Sequence, residues 1–187
     1  MTNKRDLVLK KKQPNRTPLF IIGGFFVVLV VFGLLTFNDG KPTATKLPFA
    51  TQLNPVNYQG KTINQTPIQS VVANGTIRIP LQQVEENKFI ITSYQQGSKS
   101  VALTSYIAPS GKVISAISIC EPCRSQSFHI QGDQLVCNAC GTRWDLETLR
   151  GLSGGCQDFP PDTLESTLAD GQILIAESLV ANWQPRV

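Results

Sequence analysis

The sequence predicts a mainly β protein. A single N-terminal transmembrane helix is followed by a small β-rich domain with two C-x-x-C metal knuckles, on hairpins of the zinc-ribbon or Rieske type. Three observations predict it: an uncharged apolar run at 19–37, short strand-like runs divided by turn signals from residue 75 onward, and four cysteines in two close pairs.

Charge divides unevenly along the 187 residues. Residues 1–18 form a basic tail with Lys4, Arg5, Lys10, Lys11, Lys12 and Arg16 against Asp6 alone. The formal net charge of +4 therefore belongs to the tail, and the remainder is close to neutral. A globular part without a basic face excludes nucleic acid as a partner class.

Residues 19–37, "LFIIGGFFVVLVVFGLLTF", carry no charge, and all but four are Leu, Ile, Val or Phe. A helix of this length spans about 29 Å, close to the hydrocarbon thickness of a bilayer. The apolar character runs all round the helix, unlike the single stripe of a core-facing helix. No small-residue cleavage site of a signal peptide follows in "TFNDGKPTATK", and no nearby cysteine offers a lipid attachment point. The excess of Lys and Arg before the span places the N-terminus in the cytoplasm and the C-terminal domain outside it. The expected location is the cell membrane, crossed once, with lipid as the partner of residues 19–37.

Residues 38–74 are rich in Thr, Asn, Gln and Pro without a sustained apolar period, and read as an extracytoplasmic linker. A flexible chain of that length would reach on the order of 35 Å. The other reading is an extension that packs on the domain, with "SVV" at 70–72 as a short strand.

The domain is expected over 75–187. "TIRIP" (76–80) alternates and ends at proline. "KFIITSY" (88–94) and "SVALTSYIA" (100–108) flank "QQGSK" as a hairpin, and "PSG" turns the chain into "KVISAISIC" (112–120). "SFHI" and "QLV" flank the tight turn "QGD", and "GQILIAE" (171–177) is a closing strand. Helix beyond the anchor is expected to be sparse.

The cysteines follow C-x2-C-x13-C-x2-C-x15-C: Cys120, Cys123, Cys137, Cys140 and Cys156. Two such knuckles joined by a hairpin bring four thiolates to one tetrahedral site, so Cys120, Cys123, Cys137 and Cys140 are the candidate metal ligands. Gly141, next to Cys140, can take positive φ and admit a backbone N–H to a sulfur. Four thiolates suit an iron–sulfur cluster and suit zinc. A c-type haem is disfavoured because neither pair is followed by His, and a two-histidine Rieske centre is excluded because His129 is the sole histidine. His129 remains an additional candidate ligand in a three-cysteine site. Cys156, in the Gly/Pro-rich "GLSGGCQDFPP", is an additional ligand, a cover for the site or a free thiol. Trp144 and Phe128 are expected to form the apolar cover.

Two other readings stand beside the metal. Disulfides would suit an oxidising compartment, but five cysteines are odd and a bridge inside C-x-x-C closes too small a loop to staple much. A thioredoxin-like dithiol would suit the proline in "CEPC", but that motif opens a helix in a βαβ setting, and here the neighbourhood reads as hairpins. No triad, phosphate loop or carboxylate pair points to a hydrolase or transferase, so a non-enzymatic redox or metal-binding role is expected.

With these residues in view, the sequence resembles the membrane iron–sulfur containing protein family with an FtrD-like domain. The resemblance covers about 74–180 and rests on "GTIRIPL" (75–81), "SGKVISAISICEPC" before and through the first knuckle, "LVCNACGTRW" at the second, and "GGC" followed by prolines. The order of these marks is more specific than any one of them. The stretch after the first knuckle, "SQSFHI", departs from the lysine-glycine-aromatic pattern usual in the family. The resemblance implies a tethered iron–sulfur or metal protein that carries electrons, with the four paired cysteines as ligands and Cys156 matching the family's "GGC" cysteine. Some relatives work in bacterial iron uptake beside an iron permease. With one span in this chain, a permease or other membrane redox partner would be a separate protein.

Overall fold

The computed structural model describes residues 53–187. The tail, the anchor at 19–37 and the first part of the linker lie outside the described residues. Among the described residues, no helix is long and apolar enough to cross a membrane.

Fourteen short strands form three sheets among the described residues. They are β1 (Thr62–Asn64), β2 (Thr66–Pro67), β3 (Val71–Ala73), β4 (Thr76–Pro80), β5 (Phe89–Gln96), β6 (Lys99–Ile107) and β7 (Val113–Ile117). There follow β8 (Phe128–Gln131), β9 (Gln134–Cys137), β10 (Arg143–Asp145), β11 (Gly151–Ser153), β12 (Thr163–Leu164), β13 (Ser166–Ala169) and β14 (Gln172–Ala176). Two short helices, Leu81–Asn87 and Glu177–Ala181, complete the list of elements. The domain is therefore mainly β, as its patterning predicts.

The central sheet has the order β12-β7-β6-β5-β2. Its β5–β6 hairpin pairs eight residue couples around Gly97, which turns with φ 58°. Apolar side chains leave this sheet on both faces. Phe89, Tyr106 and Ile114 enter one core, while Ile90, Leu103 and Ile117 enter the other. Val101 to Ala108 is buried throughout, so the polar side chains along β6 need internal partners. The Thr104 hydroxyl donates to the Ile90 carbonyl at 2.7 Å, and Ser105 meets Ser115 at 2.9 Å.

On one side lies the sheet β13-β14-β4-β3, closed by Ile77, Ile79, Ile173 and Ile175, which have no exposed surface. On the other lies the cysteine-bearing sheet, β1-β8-β9-β10-β11. Two tyrosines tie this side together by hydroxyl–carbonyl bonds: Tyr58 to Ile107 at 2.6 Å and Tyr106 to Leu146 at 3.0 Å. Phe128 and Trp144 pack there with ring centroids 6.2 Å apart, in the core that also holds Cys120, Cys137 and Cys156.

Residues 62–73, read from composition as linker, supply one strand to each of the three sheets. β1 pairs with β8, β2 runs parallel to β5, and β3 pairs with β4. The Leu53 N–H also donates to the Gly111 carbonyl at 2.9 Å. The described part of the segment packs on the domain, and the strand near 70–72 is present as β3.

Candidate metal centre

The two C-x-x-C knuckles are built alike although they share few residues. In each, the N–H of the first cysteine donates to the carbonyl five residues on: Cys120 to Ser125 at 2.7 Å, Cys137 to Thr142 at 2.9 Å. In each, the residue after the second cysteine is left-handed, Arg124 at φ 58° and Gly141 at φ 69°. Glycine adopts that conformation freely and arginine only at a cost, so the first knuckle carries local strain that the second avoids. The β8–β9 hairpin, turning at Gly132, delivers the chain from one knuckle to the other.

A third loop brings in Cys156. Gly154 has φ 102°, and a Cβ placed there would lie 2.6 Å from the Thr142 Cα, so only glycine lets this backbone lie against the second knuckle. The Cys156 N–H donates to the Thr142 hydroxyl at 3.2 Å, and the Trp144 indole N–H donates to the Gln157 carbonyl at 3.0 Å. The loop is thus fixed to the knuckle by its backbone.

The result is a convergence of all five thiols. Cys120 and Cys140 sulfurs are 3.8 Å apart, Cys123 and Cys137 3.7 Å, and Cys140 and Cys156 3.9 Å. Tetrahedral coordination with metal–sulfur bonds of about 2.3 Å has sulfur–sulfur edges of about 3.8 Å, so these separations fit thiolates around a metal. Cys120, Cys123, Cys140 and Cys156 form the compact quartet, with all four sulfurs within 4.8 Å of one another. Cys137 borders it through Cys123. All five are free thiols here, with no disulfide among them.

His129 stands on β8 with its Nδ1 2.5 Å from the Asn138 side-chain oxygen, outside the converging thiols. Thr142, by contrast, belongs to the site and has no signature in the sequence beyond following Cys140-Gly141. It is fully buried, and its hydroxyl lies 3.3 Å from the Cys140 sulfur. The same oxygen accepts from the Cys156 N–H and from the Cys140 thiol.

The thiols differ in acidity. Burial pushes Cys140 up, but the side chain and backbone of Thr142, with Cys137 and Cys123, outweigh it and bring the thiol down to about 6. Burial pushes Cys120 strongly up, reinforced by Cys123, Cys156, Cys137 and Cys140. Burial also raises Cys137, against backbone N–H groups of Cys140 and Ala139. Cys140 is the exposed member of the group, and Cys120, Cys137 and Cys156 are buried. A cation would relieve the unfavourable charging of the buried thiols, which is the usual coupling of metal binding to thiol deprotonation.

Fold and site together define a β domain with a cysteine-rich site able to coordinate metal. The family described as membrane iron-sulfur containing protein FtrD-like matches residues 84–187, and the chain belongs to this family. Among solved structures, the chain is similar to the Sphingomonas yanoikuyae B1 ferredoxin at 19% identity, over 66% of this chain and 98% of that chain, with a TM-score of 0.37. No curated protein matches it.

Proposed function

We propose that this membrane-associated FtrD-like protein holds an iron–sulfur centre and passes electrons outside the cytoplasm. The observation that carries the reading is the convergence of five thiols in a domain of an iron–sulfur family. Cys120, Cys123 and Cys140 are common to the paired cysteines and to the compact quartet. The fourth ligand is Cys137 by knuckle spacing or Cys156 by mutual proximity. When bound, such a centre supplies one-electron redox chemistry at a potential tuned by hydrogen bonds to sulfur and by burial. This chain's own residues contribute those terms: Thr142 beside the Cys140 sulfur, and Phe128 and Trp144 in the apolar core behind it. The exposed Cys140 gives a redox partner its closest approach. The span at 19–37 would hold the domain beside a membrane partner, and an iron permease on a separate chain would place it in iron uptake.

A structural zinc site is the second reading, favoured by the compact quartet, whose size suits a single ion. It would serve a binding or assembly subunit.

Elemental analysis of the full chain, purified anaerobically in detergent, separates the two, with visible absorption recorded before and after dithionite. Iron with matching acid-labile sulfide and a bleachable band is expected. Zinc at one per chain with no visible band, persisting after iron–sulfide reconstitution, would overturn electron transfer and leave the structural site.

A further inference from the structure

Glu121 lies inside the first knuckle, between Cys120 and Pro122, with its carboxylate removed from solvent. A buried carboxylate needs a charged, hydrogen-bonded partner. Arg186 supplies it from far along the chain. Its Nε donates to Glu121 Oε1 at 2.6 Å, and its backbone N–H donates to Oε2. The same guanidinium then reaches the loop that follows Cys156. Nη2 donates to the Pro160 carbonyl at 2.7 Å, Nη1 lies 3.3 Å from Asp162 Oδ1, and the cation sits 5.6 Å over the Phe159 ring. The Phe159 N–H donates to the Cys156 carbonyl at 3.0 Å, and Trp183 holds Asp162 by its indole N–H at 2.8 Å.

One planar fork therefore spans two loops that carry different cysteines. An apolar contact would close the C-terminal segment equally well without desolvating a carboxylate. What the fork adds is a fixed register between Glu121 and the 156–162 loop, which a single guanidinium can set because it has several directed donors. We propose that Glu121 and Arg186 form a positioning strap that holds Cys156 against the first knuckle and so sets the fourth corner of the compact thiol quartet. The strap rests on the cysteine cluster being the metal centre only for its consequence, not for its geometry.

The test has two readouts on the full chain in detergent, comparing wild type with Arg186→Ala and Arg186→Lys. The first needs no metal: alkylation by iodoacetamide, mapped by peptide mass spectrometry as the Cys156 rate over the Cys137 rate. A loosened loop opens locally, so the ratio is expected to rise about fivefold in Arg186→Ala and less in Arg186→Lys. The second is release of bound cobalt(II) to a chelator, followed by its thiolate charge-transfer absorption. Loss of a supporting contact is expected to weaken metal retention by about tenfold in Arg186→Ala. An alkylation ratio at the wild-type value in both variants would overturn the strap. Should Arg186→Ala fail to fold by circular dichroism, Arg186→Lys decides on the same ratio. With the native metal first removed and cobalt(II) loaded in its place, no charge-transfer band in wild type would overturn the metal reading, while the alkylation ratio still judges the strap.

Discussion

The backbone N–H of Cys156 donates to the side-chain hydroxyl of Thr142 at 3.2 Å, which joins the third cysteine-bearing loop to the second knuckle. The same oxygen is 3.3 Å from the Cys140 sulfur, so one buried hydroxyl serves two cysteines. Replacing Thr142 by Val keeps the shape and removes the hydroxyl, leaving the Cys156 N–H unpaired. The cost should be about 1–3 kcal/mol of domain stability, with Thr142→Ser close to wild type. Chemical denaturation of the two variants measures it, and equal stability of Val and wild type would count against the bridge.

Acidity gives a second test. With Cys140 brought down to about 6, it is a thiolate at neutral pH in the metal-free folded chain, while burial keeps Cys120 protonated. Stability from the Cys140 shift is present above the unfolded thiol's ordinary value and is lost as pH falls through about 6. At pH 7 iodoacetamide should modify Cys140 first, and its rate should drop as pH is lowered through that value. Faster modification of Cys120 would contradict the assignment.

Gly154 is a steric test. Alanine there would need φ 102° and would set its Cβ 2.6 Å from the Thr142 Cα and Oγ1. Because one obstacle is backbone, the loop must move, at a cost of about 1–3 kcal/mol from the strained dihedral alone. Thermal melting should show the loss, and metal content should fall with it. Wild-type melting and metal content would mean that the loop accommodates a side chain freely.

The fourth ligand can be read from single substitutions. Cys120→Ser, Cys123→Ser and Cys140→Ser should each abolish stoichiometric metal. If the compact quartet holds the ion, Cys156→Ser behaves like them and Cys137→Ser retains metal. If the paired cysteines hold it, the outcomes for 137 and 156 exchange. Metal content per chain decides.

How much of this is legible in the sequence depends on distance along the chain. The β5–β6 hairpin and β7 follow from local alternation and Gly97, and the β8–β9 hairpin from its tight turn. Both knuckles are local motifs, so their spacing announces them. The helix Leu81–Asn87 escapes because it is seven residues long and buries only Val84, too little for a period to show. β1 and β2 are two or three residues each, with Thr, Asn and Pro, and acquire meaning only from partners elsewhere, whereas β3 shows as the apolar pair at 71–72 beside its neighbour β4. The meeting of Cys156 with the knuckles depends on a loop bending over Thr142. The Glu121–Arg186 pair joins positions 65 residues apart, and nothing at either position signals the other.

The segment from 62 to 73 also implies an order of events during folding. β3 can pair at once with its neighbour β4, and β2 needs only β5, but β1 must await the β8–β9 hairpin much later in the sequence. Closing so long a loop costs entropy before any contact repays it, which places β1 docking late. For that interval the cysteine hairpin has an open edge along β8, where a second unfinished chain could pair in place of β1. Dilution, or a strand-blocking peptide copied from residues 61–65, would then raise the yield of monomer without altering the finished fold.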